Sequence, residues 1–239
     1  MLQIKNLTKA YGEKKAVDDI SLHIQKGEIY GFIGHNGAGK TTTLKACCGL
    51  LEFEKGEIYI DGVSVTENPL ACKRKLAYIP DNPDLYAFMT GVQYLNFVGD
   101  IYKVESSLRQ ARIHRYADLF ELTESLAMPI GAYSHGMKQK LALIAALIHE
   151  PKLIIMDEPF VGLDPKAAHT VKQIMRELCN QGSAIFFSTH VLEVAEKLCD
   201  KVAIIKDGKL VASGTMEEVT GDASLEEVFL SMAKENKDA

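Results

Sequence analysis

The segment GHNGAGKT, from Gly34 to Thr41, constrains the fold of this chain more than any other feature of the sequence. It matches the phosphate-binding loop pattern G-x-x-x-x-G-K-[ST] at every fixed position. The apolar run EIYGFI before it predicts a buried strand, and TTLKACCGLL after it predicts a helix that ends near Gly49. Strand, glycine loop and helix in this order predict an α/β fold with a phosphate site at the strand end.

The residue types in this loop suit phosphate binding. Its glycines let backbone N–H groups approach phosphate oxygens without a Cβ in the way, and the helix that begins near Lys40 adds the positive end of its dipole. We expect Lys40 to reach the β- and γ-phosphates and Thr41 to place its hydroxyl on Mg2+. The alternative, a glycine-rich turn with an incidental lysine, is disfavoured by the flanking strand and helix. The predicted phosphate ligands are Gly34, His35, Asn36, Gly37, Ala38, Gly39, Lys40, Thr41 and Thr42.

Composition narrows the class of protein. The 239 residues suit one large domain or a core with a subdomain, and 47% apolar residues suffice for a core. A formal net charge of -5 disfavours a general nucleic-acid binder. Five cysteines without a C-x-x-C pair and without a secretory signal indicate the reduced cytosol. The longest apolar run, Leu141 to Ile148, is far too short to span a membrane, so work at a membrane would require another chain to cross it.

The first third of the chain predicts antiparallel strands. Apolar and polar residues alternate from Leu2 to Leu7 and from Ile20 to Ile24, which indicates half-buried strands. The segment KAYGEKKAV between them is predicted to be a turn that holds Tyr11. In GEIYIDGVSV, the pair Asp61-Gly62 predicts a hairpin.

The remaining two thirds predict a helical insertion followed by parallel strands. Helical spacing of apolar residues from Thr90 to Ala127 indicates the insertion, and Ser134 is a natural N-cap for a further helix that closes at Pro151. The continuous apolar runs in KLIIMDEP, SAIFFSTH and KVAIIKDG indicate strands buried on both faces. DGKLVASG predicts an edge hairpin, and residues 223–239 predict an amphipathic helix.

Four predicted strands end in polar residues that suit phosphate chemistry. These ends are Gly34 with its loop, Asp81 after KLAYIP, the pair Asp157-Glu158, and Ser188 to His190. Ligands of an open parallel sheet lie beyond the carboxyl ends of its strands, so we expect these groups to gather around a γ-phosphate.

The two carboxylates after the third strand are assigned different roles. Asp157 would hold Mg2+ directly or through water, and Glu158 would orient or deprotonate the attacking water. A strand-end turn with both carboxylates solvated is the alternative, and it is weakened by the phosphate loop. His190 could be a surface or capping residue, but its position favours contact with the γ-phosphate.

Together these motifs resemble the nucleotide-binding subunit of ATP-binding-cassette (ABC) transporters over essentially the whole chain. GHNGAGKT resembles the Walker A motif, LIIMDEP the Walker B motif with the catalytic glutamate, SHGMKQ from Ser134 to Gln139 the family signature, and Gly162-Leu163-Asp164 the D-loop. Tyr11 resembles the aromatic residue that stacks on adenine, and His190 the switch histidine. A surface turn tyrosine and an ordinary helix N-cap remain the alternatives for Tyr11 and Ser134.

The resemblance implies an architecture and a set of partners. It implies an α/β fold in which a RecA-like P-loop NTPase core with a mainly parallel sheet and an N-terminal antiparallel β-subdomain (1–85 and 150–239) carries an α-helical subdomain (86–149). It implies ATP and Mg2+ as cofactors. It also implies a second ABC subunit, and Ser134 and Gly136 would cap the γ-phosphate of the ATP bound to that subunit. A separately encoded transmembrane permease would complete the transporter, with this chain cytoplasmic and peripheral on the inner face of the cell membrane.

Two residues depart from the family pattern. The glutamine usual in the Q-loop is replaced by Asp81, which is shorter and cannot donate when ionised but could still bind Mg2+ or a water. The first glycine of the signature is replaced by His135, which adds bulk or a titratable group. The signature, Asp81 and the ending LEEVFL without a further domain resemble export-type systems.

Two other functions compete with a transport ATPase. A soluble cassette ATPase acting on ribosomes or DNA usually carries two cassettes or a long coiled coil in the insertion, and this chain shows neither. A P-loop kinase with a small acceptor seldom needs a signature helix or a catalytic glutamate after Walker B.

Overall fold

The computed structural model describes residues 1–234, which form ten strands and nine α-helices. The predicted C-terminal helix begins at Leu225, and residues 235–239 of that prediction lie outside the described part. The strands, in chain order, are β1 (Leu2–Tyr11), β2 (Lys14–Ile24), β3 (Ile29–Ile33), β4 (Lys55–Ile60), β5 (Val63–Ser64), β6 (Leu76–Ile79), β7 (Leu153–Asp157), β8 (Ala184–Thr189), β9 (Lys201–Lys206) and β10 (Lys209–Thr215).

The helices connect these strands, and two short 3₁₀ turns, Thr123–Ser125 and Ile130–Ala132, lie between the fourth and fifth of them. In chain order they are α1 (Lys40–Cys47), α2 (Pro69–Lys73), α3 (Gly91–Ile101), α4 (Ser106–Leu119), α5 (His135–Leu147), α6 (Pro165–Asn180), α7 (Leu192–Leu198), α8 (Met216–Thr220) and α9 (Leu225–Lys234). Within residues 1–234, none of them has both the length and the apolar character needed to cross a membrane.

A six-stranded sheet forms the centre of the fold. Its order is β10-β9-β3-β8-β7-β6, and every pair is parallel except the edge hairpin of β9 and β10. Every residue of β3, β7 and β8 is buried, as the continuous apolar runs predict. Parallel strands of this kind need cover on both faces, and both faces are covered here.

Side chains alternate between the two faces of this sheet. Ile154 and Met156 pack in the same cluster as residues of α5 and α6, whereas Leu153 and Ile155 pack with residues of β1, β2 and α1. Since successive strand residues point to opposite faces, one apolar strand supplies both cores. The mainly parallel core predicted from the sequence is confirmed.

The N-terminal sheet is antiparallel, with order β2-β1-β4-β5. Asp61 and Gly62 form the turn between β4 and β5, both with positive φ, as the hairpin pattern predicts. The prediction that all of KAYGEKKAV is a turn is wrong, because the turn is much shorter than this segment. The β1–β2 ladder continues to Tyr11 and Lys14, so that only two residues, including Gly12 at φ 61, form the turn.

The helical insertion lies between β6 and β7. A capping box of Thr90 and Gln93 begins α3, and the side chain of Ser134 accepts a hydrogen bond from the N–H of Met137 at the start of α5, as predicted. Residues of α3, α4 and α5 share one apolar cluster with the sheet. The insertion predicted from helical spacing is confirmed, and the exact bounds 86–149 stay a prediction.

Candidate nucleotide site

The glycine loop joins β3 to α1 and lies tightly against two other strands. A Cβ on Gly34 would come within 2.5 Å of the carbonyl oxygen of Ile205 in β9. A Cβ on Gly39 would come within 2.3 Å of the carbonyl oxygen of Ala16 in β2, and Gly39 has φ 111. Glycine is therefore required at both positions by close backbone approach, and at Gly39 also by backbone conformation.

Lys40 begins α1 and is buried, with 6% of its surface exposed. Its Nζ donates hydrogen bonds to the carbonyl oxygens of Gly34 at 2.7 Å and His35 at 3.3 Å. The same nitrogen lies 3.7 Å from Oε1 of Glu158. The loop carbonyls thus hold the ammonium group at the mouth of the loop, where the sequence places the terminal phosphates.

Asp157 ends β7 and is only 2% exposed. Its Oδ2 accepts a hydrogen bond of 2.6 Å from the hydroxyl of Thr41, and its Oδ1 accepts one from the hydroxyl of Ser188. A buried carboxylate that meets a threonine hydroxyl offers hard oxygen donors of the kind that Mg2+ prefers. Residues 1–234 contain no group of three or more His, Cys, Asp or Glu side chains placed to hold a metal alone.

Glu158 follows in the left-handed region, with φ 47. Its backbone N–H is held by Ser188, with 3.2 Å to the carbonyl oxygen and 3.1 Å to the hydroxyl. The imidazole Nδ1 of His190 lies 2.9 Å from Oε1 of Glu158, and the His190 N–H donates to Oε2 at 3.4 Å. The end of β8 therefore orients both the backbone and the carboxylate of Glu158.

Lys40, Asp157 and Glu158 line one cavity of about 200 Å³. The structure thus brings the four predicted strand ends together, with His190 joining them through Glu158. The roles assigned to the individual residues stay predictions. The cavity is lined by Ala16, Asn36, Gly37, Gly39, Lys40, Thr41, Thr42, Asp81, Asp157 and Glu158.

Other predicted ligands lie apart from this cavity. Of the residues 1–234, none from Ser134 to Lys140 lines it, although the signature helix begins at Ser134 as predicted. Tyr11 is also absent from the lining, and lies at the tip of the β1–β2 hairpin with 54% of its surface exposed. The ammonium of Lys9 sits 5.4 Å from the centre of its ring. Strand β2 of that hairpin contributes Ala16 to the cavity wall.

Sequence reasoning left three features in and near the site without an assigned role. Ser188 was assigned no role, yet its hydroxyl joins Asp157 to the backbone of Glu158, and its place beside His190 was the available signal. Ala16 had no signal, because a lone alanine in a strand carries no functional group that sequence reasoning could single out. The His135 ring lies where a Cβ on Gly162 would be, at 2.4 Å, so the substituted signature contacts the D-loop glycine.

Comparison with known proteins gives one family. A sequence model of the ABC transporter family matches residues 17–161. The chain is 33% identical to the ABC-type transporter ATP-binding protein EcsA of Bacillus subtilis (strain 168), over 99% of this chain and 98% of EcsA. It is 35% identical to the linearmycin resistance ATP-binding protein LnrL of the same organism, over 92% of this chain and 70% of LnrL. A solved structure of an ATP-binding subunit of an ABC transporter superposes with a TM-score of 0.94 and 35% identity, covering 98% of this chain and 100% of that one.

Proposed function

The chain belongs to the ABC transporter family of ATP-binding proteins, and on this basis we propose that it hydrolyses ATP to power a membrane transporter of the export type. The observation that carries the proposal is the convergence of Lys40, Asp157 and Glu158 on one cavity. A cation for the phosphates, a metal carboxylate and a base for water are the three groups that this reaction requires.

ATP binds with its phosphates in the glycine loop. Backbone N–H groups at the start of α1 donate to the phosphate oxygens, and the helix dipole favours their charge. Lys40 exchanges its carbonyl partners in the loop for the β- and γ-phosphates. Tyr11 stacks on the adenine from the hairpin tip, with the adjacent Lys9 adding positive charge.

The residues present fit Mg2+, because Thr41 and Asp157 offer hard oxygen donors in contact with each other. Neutralisation of phosphate charge is the chemistry that Mg2+ would supply when bound here. Asp81 lines the same cavity and supplies a further carboxylate for the ion or its water. Ser188 keeps Asp157 in place through its second oxygen.

Glu158 accepts the proton of the attacking water. Its side chain is 14% exposed and lies between the Lys40 ammonium and the His190 imidazole, so these two groups fix its direction. His190 turns toward the γ-phosphate from this position and holds it during attack. Thr189 fixes the local chain, because its hydroxyl accepts the N–H of Val191 at 3.0 Å.

A second copy of an ABC subunit completes the site. The exposed Ser134 and the neighbouring Gly136 at the N-terminus of α5 lie outside this chain's own cavity, so they are free to cap the γ-phosphate of a partner. When two subunits close head to tail, they bury two ATP molecules between them, and hydrolysis reopens the pair of subunits. A membrane-embedded permease receives this motion, which places the chain at the inner face of the membrane.

Export is favoured over import by the signature SHGMKQ, by Asp81 and by the likeness to LnrL, whose name records resistance to linearmycin. Action on ribosomes or DNA is the second candidate carried from the sequence. No feature of the site favours it over transport.

The decisive experiment measures phosphate release with MgATP and no acceptor, comparing wild type with Glu158→Gln and Lys40→Ala. We expect Glu158→Gln to lose at least about 100-fold in turnover, since removing a general base costs that much, while still binding ATP. Lys40→Ala should greatly weaken nucleotide binding itself. The exposed Glu52→Gln serves as the matched control. Unimpaired turnover in Glu158→Gln would remove Glu158 from its role, and no phosphate release by wild type would favour a kinase.

A further inference from the structure

The first turn of α5 lies against the segment that joins Glu158 to α6. His135, which replaces the first glycine of the signature, places its ring on Gly162 of that segment. A Cβ on Gly162 would come within 2.4 Å of Cδ2 and 2.8 Å of Nε2 of the His135 ring. The edge of the imidazole therefore fills the space that a glycine leaves open, and it contacts the main chain of Gly162.

Two further contacts join the same helix to the same segment. A Cβ on Gly136 would lie 2.9 Å from the carbonyl oxygen of Gly162. One turn further along α5, Nζ of Lys140 lies 2.9 Å from Oδ2 of Asp164. The other carboxylate oxygen of Asp164 accepts the N–H of Ala167 at 2.8 Å and caps α6. The N-terminal half of α5 is thus fixed on both Gly162 and the start of α6.

The segment from Glu158 to Gly162 is a hydrogen-bonded turn. The N–H of Val161 donates to the carbonyl oxygen of Glu158 at 3.1 Å, and the ring of Phe160 packs edge-on against Phe187 with centroids 5.9 Å apart. Phe160 thereby anchors the turn to β8. A displacement of Gly162 reaches Glu158 through this turn rather than through a slack loop.

Glu158 is sensitive to what holds the turn. Its φ of 47 lies in a region where a residue with a Cβ persists only if its surroundings hold it there. A misplacement of about 1 Å at a reacting group can lower a rate about 100-fold. A contact that fixes the turn after Glu158 therefore affects the turnover that this carboxylate supports.

The orientation of the His135 ring favours this role over contact with a phosphate. Cδ2 and Nε2, at the tip of the ring, face the main chain of Gly162 in the same subunit. A ring that approached the nucleotide of a second subunit would instead direct Nε2 away from Gly162. Packing of the ring edge is a matter of shape, so a ring without nitrogen atoms should serve as well.

We propose that His135 is a positioning residue for Glu158. Its imidazole holds the first turn of α5 on Gly162, so that the signature helix and the turn after Glu158 move together. When the nucleotide of a second subunit engages Ser134, the displacement of α5 reaches this chain's own base through His135. The inference rests on the proposed function for the role of Glu158 and for the second subunit, whereas the contact itself is a feature of this chain.

The first test measures phosphate release against MgATP concentration for the intact wild type, His135→Gly and His135→Phe. We expect His135→Gly to lower kcat at least about fivefold with KM within about twofold, because the lost contact acts on the base and not on ATP binding. His135→Phe keeps a planar ring of similar size and should hold kcat within about twofold of the wild type. A merely structural role would not separate kcat from KM in this way.

The second test is a double-mutant cycle with Gly162→Ala. In the wild type the new Cβ strikes the His135 ring, whereas in His135→Gly that ring is gone and only the strain at φ 78 remains. Gly162→Ala should therefore lower kcat by a factor at least about fivefold larger in the wild type than in His135→Gly. Gly182→Ala is the matched control, because Gly182 has φ 94 and its Cβ would have no neighbour within 4 Å. It should change kcat by the same factor in both backgrounds.

Several results would overturn the inference. An unchanged kcat in His135→Gly does so even if Gly162→Ala does not fold, and so do additive effects in the cycle. A raised KM at unchanged kcat in both His135→Gly and His135→Phe would assign the imidazole to the nucleotide of the second subunit. A loss of kcat in His135→Phe as large as in His135→Gly would assign the effect to the ring nitrogens. Absence of phosphate release by the wild type counts against the proposed function, whereas release with a normal kcat in His135→Gly counts against this inference alone.

Discussion

Gly39→Ala tests whether position 39 requires glycine because the backbone of another strand lies so close to it. Gly39 has φ 111 and ψ 4, a conformation that residues with a Cβ rarely adopt. The added Cβ would lie 2.3 Å from the carbonyl oxygen of Ala16 and 3.1 Å from Cδ1 of Ile205. The carbonyl belongs to the backbone of β2, so it cannot move aside as a flexible side chain could.

The expected cost has two parts. Backbone strain at such a position costs about 1–3 kcal/mol, and forcing a methyl group into a closed contact costs about 1–3 kcal/mol more. The loop can relieve both by moving away from β2 and from Gly208, whose N–H donates to the carbonyl oxygen of Ala38. If the binding-competent conformation of the loop is destabilised by about 3 kcal/mol, the affinity for ATP falls about 100-fold.

Gly37→Ala is the matched control, because Gly37 also has positive φ, at 83, but its Cβ would have no neighbour within 4 Å. It should lose only about 1–2 kcal/mol of unfolding free energy from backbone strain. Urea unfolding and equilibrium binding of a fluorescent ATP analogue measure both quantities. We expect Gly39→Ala to be less stable than Gly37→Ala by at least about 1.4 kcal/mol, and the comparison uses unfolding free energy because Gly37 itself lines the nucleotide cavity. Equal values for the two variants would refute the contact with Ala16 as the reason for glycine.

Two further predictions concern single side chains. Thr41→Val keeps the shape but removes the hydroxyl on Asp157, so half-maximal phosphate release should require more Mg2+; an unchanged Mg2+ requirement would contradict the metal assignment. Hydrogen bonds from Lys75 and, to a smaller extent, Lys152 hold the pKa of Asp61 at about 2, below its unfolded value of 3.8. The ionised Asp61 therefore stabilises the fold above pH 3.8, and this contribution is lost as the pH falls toward 2. Asp61→Asn, which also tolerates positive φ, should lower the unfolding free energy by at most about 1 kcal/mol at neutral pH after solvent screening. The difference from wild type in urea titrations should shrink below pH 4, and a constant difference would exclude the ion pairs.

Local sequence patterns could predict the strand ends because each depends on neighbours in the chain. Glycines after β3 and carboxylates after β7 mark the ends of apolar runs, and the rule for parallel sheets brings those ends to one edge. The contact between Ser188 and Asp157 could not be predicted from local patterns. It depends on β7 and β8 being adjacent and in the register that pairs these two residues, which long-range pairing sets.

Two other features could not be predicted from local sequence patterns either, because both depend on how separate segments pack together. The β1–β2 ladder extends to Tyr11 and Lys14 although the segment KAYGEKKAV shows no alternation, because pairing across the hairpin determines where the strands end. A cavity of about 250 Å³ beside β6 is lined by α3 and α5, which are separated in the chain, and by His149, whose ring stacks on Tyr102. Periodicity predicts that such helices exist but not the space left between them.

The loop after β6 joins the nucleotide cavity to a second cavity, of about 250 Å³, that residues of β6, α3 and α5 line. Asp81 lines the nucleotide cavity, and Asp84, three residues later, lines the second one. Three residues span at most about 11 Å, and Pro80 and Pro83 fix one φ angle just before this segment and one within it. Coupling between two ligands is reciprocal in free energy. A ligand in the second cavity that changes the affinity for ATP through this loop is therefore expected to have its own affinity changed by ATP by the same factor.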